Sequence, residues 1–269
     1  MESTEARIRY AACPLCDADD AVEAMIGDCS DHPLFKPPLP ADQLWIECRA
    51  CGHVYVEGYF TPAALAIVLS GTQSNQLPGY DIEGQRHLWS PVVEAVSRLR
   101  AALGGRWLDV GFGNGSLLTT AAEFGYEVVG LDLREESVHL MRELGFEAHA
   151  LDLEEFRANE AFDVVSLADV LEHMPFPKRA LQRVQDLLRT DGLLFLSMPN
   201  ADSFAWQMLT RTGTNPFWGE IEHYHNFGRK RLYALLAEFG FQPVCYRVST
   251  RYRACMEVIA RKTGRPAGN

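Results

Sequence analysis

The sequence has no internal repeat, no low-complexity tract and no apolar run long enough to span a bilayer, which argues against a transmembrane helix. It is also short of basic residues: 25 Lys and Arg stand against 36 Asp and Glu, a formal net charge of −11. Such a surface repels phosphate backbones, so a nucleic-acid partner is unlikely on composition. The first residues, Met-Glu-Ser-Thr-Glu, lack the basic start and apolar core of a signal peptide. We therefore expect a cytoplasmic protein without a membrane partner.

Seven cysteines are an odd count, and two close pairs among them suggest a metal rather than disulfides. Cys13 and Cys16 form one Cys-x-x-Cys knuckle, and Cys48 and Cys51 form the other. Each knuckle can offer two thiolates, and two knuckles complete a tetrahedral Zn²⁺ site. Because four sulfur ligands leave no open position for a substrate, we expect the ion to be structural. The alternative is a group of four reduced, buried thiols.

The residues near the second knuckle alternate as the strands of a hairpin do, at 43–47 and 53–57. With the knuckles they predict a rubredoxin-like zinc ribbon over residues 1–60, a module so small that it needs the metal to fold. Acidic residues outnumber basic ones between Cys13 and Cys51, which favours a platform or lid over a substrate pocket. Weaker candidate ligands are Cys29, His32 and His53.

A glycine-rich turn lies in the segment 108–116 (Leu-Asp-Val-Gly-Phe-Gly-Asn-Gly-Ser), and an apolar run follows it. The segment predicts a strand, a tight turn and a helix. Gly111, Gly113 and Gly115 let the backbone approach a ligand where a side chain would block it. Asp132 ends the next apolar run, where an acid can accept both hydroxyls of a ribose; a helix N-cap is a compatible second role. The pattern predicts a nucleoside-containing cofactor.

Two features indicate which cofactor the turn suits. A dinucleotide site has the pattern Gly-x-Gly-x-x-Gly, but the sixth place here is Ser116. Asp109 stands two residues before the first glycine, and a carboxylate there repels a pyrophosphate and suits a cationic ligand. S-adenosylmethionine carries a sulfonium and an ammonium group, so it fits this turn better.

From residue 106 onward, strand patterns alternate with helical ones, which predicts an α/β fold whose parallel sheet has helices on both faces. The last two strands follow each other without a helix, so the final strand should be antiparallel. Ligands of such sheets bind at the carboxyl ends of the strands. Strands are expected at 106–110, 127–131, 147–150, 162–167, 193–198, 242–248 and 253–259. Helices are expected at 87–103, 134–144, 177–188 and 229–239.

These motifs resemble those of the class I S-adenosylmethionine-dependent methyltransferases over about residues 80–260. The resemblance implies a Rossmann-like, seven-stranded methyltransferase sheet with an antiparallel last strand, beside the small N-terminal zinc-ribbon domain. Phe112 departs from the commonest form of the family's first motif, which has Cys, Ala or Thr there, but this residue contributes mainly backbone. The implied cofactor-binding residues are Asp109, Gly111, Phe112, Gly113, Asp132, Leu133, Asp152, Leu153, Ala168 and Asp169.

Within that set, the resemblance implies that Asp152 and Leu153 meet the adenine, although Asp152 could instead cap a short helix. Ala168 and Asp169 would line the methionine end of the cofactor. Tyr80 and Arg86 precede the first strand, where such enzymes often contact or cover the cofactor carboxylate. Arg86 could pair with that carboxylate, and a surface arginine is the equal alternative. The expected division is a zinc ribbon at 1–60, a linker and helix at 61–86, a cofactor-binding methyltransferase domain at 87–262 and a flexible tail at 263–269.

The implied reaction is an in-line methyl transfer, with a histidine as the natural base near neutral pH. His173 follows the fourth strand, and His223 and His225 flank Tyr224 in a polar-aromatic loop before the last helix. These four are the candidate catalytic residues. Two alternatives remain: the loop histidines could only hydrogen-bond neighbouring backbone, or they could bind a metal with Glu222.

The leading interpretation is a methyltransferase that acts on a small molecule: a sugar, a glycan precursor or a secondary metabolite. It rests on a similarity to a ribbon-bearing subgroup found with sugar, glycan and natural-product pathways. One alternative is a protein or RNA methyltransferase that uses the ribbon for recognition. Another is a non-catalytic, cofactor-binding scaffold. A homodimer is a further expectation, whereas the sequence does not identify the methyl acceptor.

Overall fold

The computed structural model describes residues 6–102 and 104–264 and begins with a small module built on two antiparallel sheets. Strand β3 (Asp42–Cys48) pairs with both β2 (Ala21–Asp28) and β4 (Val54–Val56), and β1 (Arg7–Arg9) pairs with β5 (Gly58–Phe60). The predicted hairpin at 43–47 and 53–57 is present as β3 and β4. Thr61 accepts a hydrogen bond from the backbone N–H of Ala64 and so begins α1. The elements are β1 (Arg7–Arg9), β2 (Ala21–Asp28), β3 (Asp42–Cys48), β4 (Val54–Val56), β5 (Gly58–Phe60) and α1 (Pro62–Leu69).

The larger part of the chain alternates strands and helices, and short 3-10 helices lie at Ser74–Gln76, Leu171–His173 and Pro216–Trp218. Its elements are α2 (Ile82–Arg98), β6 (Gly105–Val110), α3 (Ser116–Glu123), β7 (Tyr126–Leu131), α4 (Glu135–Glu143), β8 (Glu147–His149), β9 (Phe162–Ala168), α5 (Pro177–Leu187), β10 (Leu188–Pro199), α6 (Phe204–Arg211), β11 (His225–Asn226), α7 (Arg229–Glu238), β12 (Phe241–Val248) and β13 (Cys255–Lys262). Among the described residues, no helix is both long and apolar enough to cross a bilayer.

The strands of this part form one seven-stranded sheet in the order β12-β13-β10-β9-β6-β7-β8. Neighbours from β10 to β8 are parallel, and β13 is antiparallel to both β10 and β12. Helices bury both faces, so the central strands are almost continuously apolar. Trp107, Phe162 and Phe195 are fully enclosed in the core. The predicted fold, a seven-stranded sheet with an antiparallel last strand, is confirmed.

Several element boundaries differ from the predicted ones. Helix α2 begins five residues earlier than expected, at Ile82, and ends at Arg98; the predicted end at Leu103 lies outside the described residues. Its apolar residues recur at the helical spacing 89, 92, 93 and 96 and face the sheet. Strand β13 begins later than predicted because Ala254 has a left-handed φ of +53° and turns the chain first. Most of the predicted tail, residues 265–269, also lies outside the described residues.

One strand of the larger part belongs to the sheet of the ribbon. Strand β11 pairs antiparallel with β4, so the ribbon sheet has the order β11-β4-β3-β2. The pairing aligns His225 with Tyr55 and Asn226 with Val54. The two parts of the chain are therefore joined by backbone hydrogen bonds, which local sequence patterns did not predict.

Candidate active site

A cavity of about 380 Å³ opens where the carboxyl ends of β6, β7 and β9 meet the N-terminal module. Its floor contains the glycine-rich turn, and its roof contains Phe60 together with Leu65 and Val68 of α1. Its far wall contains the loop between α6 and α7, including His223. This edge of the sheet is the one at which ligands of open α/β sheets bind.

The glycine-rich turn takes a conformation that needs glycine. Gly111 has a φ of +63°, and a Cβ there would lie 2.7 Å from Cγ2 of Val170. Its N–H donates to the carbonyl of Leu131 at 2.7 Å, which ties the turn to the end of β7. Phe112 is buried, and both it and Gly113 line the cavity. The turn therefore presents backbone to any ligand in the cavity.

Asp132 is buried at the end of β7 and lines the cavity. One carboxylate oxygen accepts from the backbone N–H of Gly113 at 3.0 Å, and the other accepts from the backbone N–H of Arg134 at 2.9 Å. The side chain thus organises the turn and the entry to α4 while it faces the cavity. The position of Asp132 is compatible with the predicted contact to a ribose, and that contact stays a prediction.

Asp109 is only 1% exposed at the end of β6. Its Oδ1 accepts a hydrogen bond of 2.6 Å from the Ser166 hydroxyl, whereas its Oδ2 has no partner among the described residues. Burial raises the pKa of this carboxyl to about 7. A cationic ligand in the cavity would favour the ionised form, as the sequence argument for S-adenosylmethionine requires.

Asp169 lines the cavity beside Ala168 and has a left-handed φ of +56°. Its carboxylate accepts hydrogen bonds from the Ser197 hydroxyl at 2.9 Å and from Nη1 of Arg251 at 2.6 Å. The guanidinium of Arg251 stacks on Trp89, 3.9 Å from the ring centre. This buried ion pair places a carboxylate and a guanidinium side by side at one wall of the cavity.

Arg251 was not among the predicted site residues. It lies in the turn between β12 and β13, which matches no motif. A topological signal was present, because β12 runs parallel to β10 and its carboxyl end must therefore lie at the ligand-binding edge.

The predicted cofactor contacts divide into two groups. Asp109, Gly111, Phe112, Gly113, Asp132, Leu133, Ala168 and Asp169 line the cavity. Four others do not. Arg86 lies on the surface in an ion pair of 2.7 Å with Glu123, and Tyr80 is exposed. Asp152 is exposed and accepts from the Glu154 N–H at 2.8 Å, which is the capping role, while Leu153 is buried in the hydrophobic core. The cofactor roles of these four stay predictions.

Where the 3-10 helix Leu171–His173 meets the loop before β11, Glu172, His173 and His223 each direct a polar atom to a common point, with these atoms within 4.8 Å of one another. Glu172 is 1% exposed, and neither carboxyl oxygen has a partner in the described part of the chain. Burial and the nearby charge of Asp169 raise the pKa of Glu172 well above its ordinary value. Ionisation of the Glu172 carboxyl is therefore disfavoured at this site.

The two histidines of this group are held differently. Nδ1 of His173 donates to the carbonyl of Glu222 at 3.1 Å, since a carbonyl can only accept, and this leaves Nε2 with its lone pair. His223 is buried, and its Nδ1 has no partner among residues 6–102 and 104–264. Burial and the neighbouring His173 lower the pKa of His223 to about 3, so its imidazole is neutral.

A second polar group adjoins the first. His32 of the ribbon forms an ion pair with Glu220, and Arg134 lies 3.7 Å from Glu222. Nε2 of Gln73 donates to the same Glu222 carboxylate at 3.3 Å. The acceptor end of the cavity is thus polar along one wall and apolar along the wall that α1 provides.

His225 does not reach the cavity, although it was predicted beside His223. Its Nδ1 shares a hydrogen bond of 3.0 Å with Nε2 of His53, and its Nε2 donates to the carbonyl of Met174 at 3.0 Å. Both ring nitrogens are therefore occupied by hydrogen bonds. This arrangement matches the alternative in which a loop histidine only hydrogen-bonds its neighbours. Tyr224 lines the cavity and packs edge-on against Phe60. Among the described residues, Glu222, His223 and His225, the group suggested for a metal, do not converge on one point. His223 instead converges with Glu172 and His173.

The four predicted zinc ligands converge. The sulfur atoms of Cys13 and Cys51 lie 3.8 Å apart, those of Cys16 and Cys48 lie 3.5 Å apart, and all four fall within 4.8 Å of one another. A tetrahedral Zn²⁺ with bonds of about 2.3 Å needs sulfur separations of about 3.8 Å. These four thiols therefore fit a structural zinc ion, as predicted. Cys29 and His53 lie outside the group, and His32 contacts Glu220 instead.

Comparison with known proteins gives the family. A family model described as a methyltransferase domain matches residues 82–246, more than half of the chain. The chain belongs to this family. The resemblance carried by the glycine-rich turn and the later motifs is thereby confirmed. The matched range runs from α2 into β12 and contains the cavity-lining residues between those two elements.

Two curated relatives are both named ubiquinone biosynthesis O-methyltransferase. The protein from Haemophilus ducreyi is 33% identical over 137 residues, and the one from Aromatoleum aromaticum is 32% identical over 143 residues. The matches cover 46% and 50% of this chain and 58% of each relative. This methyltransferase chain therefore spans little more than half the length of these relatives.

Solved structures share the fold. The magnesium protoporphyrin IX methyltransferase from Synechocystis, with bound SAH, has a TM-score of 0.55 at 19% identity and covers 66% of this chain and 84% of its own. An N-methyltransferase from Bradyrhizobium japonicum in complex with S-adenosyl-L-homocysteine has a TM-score of 0.52 at 16% identity and covers 73% and 95%. At these identities the likeness concerns the architecture alone.

Proposed function

We propose that this methyltransferase transfers a methyl group from S-adenosylmethionine to a hydroxyl group of a small molecule. One observation carries the proposal: a single cavity joins the glycine-rich turn, Asp109 and Asp132 at one end to Glu172 and His223 at the other. The first end suits an adenosyl group with cationic substituents, and the second suits a proton leaving an acceptor.

The residues of the first end fit the cofactor. Asp132 is placed for the ribose hydroxyls, and the unpartnered oxygen of Asp109 suits a positive charge. Asp169 and Arg251 carry charges opposite to those of the ammonium and carboxylate groups of an amino acid. When bound, S-adenosylmethionine supplies a methyl group already activated by the sulfonium.

The chain's own part in the reaction is to align the acceptor, exclude water and take a proton. His223 is the base we propose, because it lines the cavity and its buried Nδ1 has no partner among the described residues. Burial lowers its pKa and so weakens it as a base, whereas the charge of Glu220 acts in the opposite direction. His173 is the second candidate, since its Nε2 keeps a lone pair near the same point. His225 is a poorer candidate because both of its ring nitrogens are occupied.

The size and lining of the cavity support a small acceptor. Its volume of about 380 Å³ falls within the usual range of small-molecule pockets. Leu65, Val68 and Leu69 offer an apolar wall opposite the polar one. The relatives named O-methyltransferases favour an oxygen acceptor. A sugar, a glycan precursor or a secondary metabolite meets these conditions, whereas the net charge of −11 counts against RNA.

The test is transfer of a labelled methyl group. The purified protein is incubated with methyl-tritiated S-adenosylmethionine and a deproteinised bacterial metabolite extract, and products are separated by chromatography. We expect label in a small molecule with the wild-type protein and a loss of about a hundredfold or more with His223→Asn. Calorimetry should show that this variant still binds the cofactor. Tight cofactor binding without transfer to any extract would favour the scaffold alternative, and label in added RNA would favour the recognition alternative.

Homodimer formation and a cytoplasmic location stay predictions. The described residues include exposed apolar side chains on the edge strand β12, among them Val248. A sedimentation measurement decides the first question.

A further inference from the structure

The loop that carries the acceptor-end residues lies between the two parts of the chain. Glu220, Glu222 and His223 all come from the segment between the 3-10 helix Pro216–Trp218 and strand β11. This segment contacts the methyltransferase domain on one side and the ribbon on the other. The carbonyl groups of the segment show which contacts hold it.

Gln43 of β3 holds the loop from the ribbon side. Its side-chain amide donates to the carbonyl of Glu220 at 3.1 Å and to the carbonyl of His223 at 3.3 Å. The amide oxygen accepts from Nη2 of Arg7 at 2.7 Å, and this fixes the orientation because a guanidinium can only donate. Gln43 is 1% exposed, so the amide satisfies buried carbonyls that water does not reach.

Trp45, two residues further along the same face of β3, holds the start of the loop. Its indole N–H donates to the carbonyl of Trp218 at 2.8 Å, and the two rings pack edge-on at 5.6 Å. The backbones approach closely here: a Cβ on Gly27 would lie 1.7 Å from the Trp218 oxygen. A glycine is therefore required in β2 for this contact.

Strand pairing holds the end of the loop. The backbone N–H of Val56 donates to the carbonyl of Tyr224 at 2.9 Å, and β11 continues the pairing with β4. The hydrogen bond between His53 and His225 adds a side-chain link across the same strands. His53 and Val56 both lie in the short segment that follows Cys51 of the second knuckle.

The methyltransferase domain holds the opposite side. The N–H of Tyr224 donates to the carbonyl of Glu172 at 2.8 Å, and His173 donates to the carbonyl of Glu222. On this side the bonds come from the segment that also supplies the proposed acid–base group. The loop is therefore hydrogen-bonded from both sides.

We propose that the zinc ribbon is a built-in clamp of the acceptor site, in which Gln43 is the positioning residue that sets the place of His223. This inference rests on the proposed function for the role of His223. It assigns the ribbon a use other than recognition of a macromolecule, because the strand edge of β4 and the buried face of β3 are occupied by the loop itself.

The test compares Gln43→Met, which keeps the length of the side chain but removes the amide, with Glu47→Gln, an exposed change on the same strand. Amide hydrogen exchange of the full-length zinc-loaded protein is followed in peptides covering 216–227 and, as an internal reference, 193–199. We expect exchange in 216–227 to increase about tenfold or more in Gln43→Met, with 193–199 unchanged and Glu47→Gln like the wild type.

A second readout distinguishes positioning from general support. In zinc-loaded protein labelled with ¹³C-histidine and followed between pH 6 and pH 8, His223 should show no titration in the wild type, because burial lowers its pKa, and a protonation step in Gln43→Met, because a released imidazole regains solvent. Should Gln43→Met lose its zinc, Trp45→Phe serves in its place, since it removes the indole donor to Trp218 and leaves a smaller ring in the buried contact. Exchange and titration equal to the wild type in a zinc-loaded variant would overturn the proposal.

Cofactor binding is measured on the same samples and shows whether release of the loop also disturbs Asp132, since Arg134 lies 3.7 Å from both Asp132 and Glu222. If the wild-type protein fails to bind S-adenosylmethionine, the proposed function fails. The exchange and titration results then still decide whether the ribbon clamps the loop.

Discussion

Arg251 and Asp169 form a hydrogen-bonded ion pair of 2.6 Å at the wall of the cavity, with the guanidinium stacked on Trp89. The same guanidinium donates to the Ser197 hydroxyl. An adjacent acid and base of this kind complement an amino-acid zwitterion, whose ammonium and carboxylate groups carry the opposite charges.

Replacing Arg251 by Met should weaken S-adenosylmethionine binding by roughly ten- to a hundredfold, the effect of losing a charge-assisted hydrogen bond. Calorimetry with 5′-methylthioadenosine, which lacks the amino-acid part, should show little change in the same variant. Arg86→Met is the matched control, since Arg86 pairs with Glu123 on the surface. If Arg86→Met weakened S-adenosylmethionine binding more than Arg251→Met did, the contact with the cofactor carboxylate would belong to Arg86, as the sequence suggested, and not to Arg251.

Asp132→Asn should weaken cofactor binding by about 1.5–3 kcal/mol, because a charged acceptor for the ribose hydroxyls is lost. Asp152→Asn should change the affinity less than about threefold, since its carboxylate lies outside the cavity and accepts from the Glu154 N–H. Equal losses in the two variants would support the adenine contact implied for Asp152. They would also mean that the cofactor extends beyond the cavity described above.

Cofactor affinity should depend on pH through Asp109. Burial raises the pKa of this carboxyl to about 7, so the empty site is mostly protonated at pH 6 and mostly ionised at pH 8. A cationic cofactor binds the ionised form, so the affinity should rise about tenfold between these pH values, with release of a proton. Calorimetry in buffers of different ionisation enthalpy measures that proton. Asp109→Asn should remove the dependence, and an unchanged dependence in this variant would refute the assignment.

Acid should destabilise the fold through His225. Burial lowers its pKa from 6.5 to about 4, so below pH 6.5 the unfolded chain binds a proton that the folded chain does not. Stability from this residue is complete above pH 6.5 and falls as the pH drops toward 4, by about 2 kcal/mol at pH 5. The unfolding midpoint in urea should therefore fall less between pH 7 and pH 5 in His225→Asn. Exposed His139 supplies the control, His139→Asn, which should follow the wild type.

The purified protein should contain one zinc ion per chain by metal analysis. Cys48→Ser should lose the ion and lower the thermal midpoint by roughly 10 °C, because the ribbon depends on the metal for its folding free energy. Cys245→Ser, on β12 and far from the group of four, should keep both. Full stability of a metal-free wild-type protein would leave the four cysteines as reduced, buried thiols.

The parts of the site that were predicted from the sequence are formed by residues that are close to one another along the chain. The glycine-rich turn and Asp132 follow their own strands directly, and each Cys-x-x-Cys knuckle is a local turn. Chemistry of this kind can be read from residue types and spacing. The fold class followed as well, because strands that alternate with helices predict a parallel sheet with helices on both faces.

The parts that were missed depend on pairings between distant segments. Nothing near His225 indicates that it joins the ribbon sheet, and its alternation with His223 suggested a shared site. Strand β11 begins only at His225, which its pairing with β4 places against His53. His223 precedes the strand in a turn, where its N–H donates to the carbonyl of Glu220, so the alternation of an extended segment does not reach it. Arg251 similarly reaches Asp169 only because β12 and β13 fold back on the sheet.

The pairing of β11 with β4 has a consequence for synthesis on the ribosome. The cysteine knuckles emerge early, but the outer edge of β4 has no partner until the region around His225 has left the exit tunnel. An open strand edge invites pairing with other chains, so the nascent protein passes through a stage that is vulnerable to aggregation. For the same reason, grafting the ribbon onto another scaffold would require the loop at 216–227 to be moved with it.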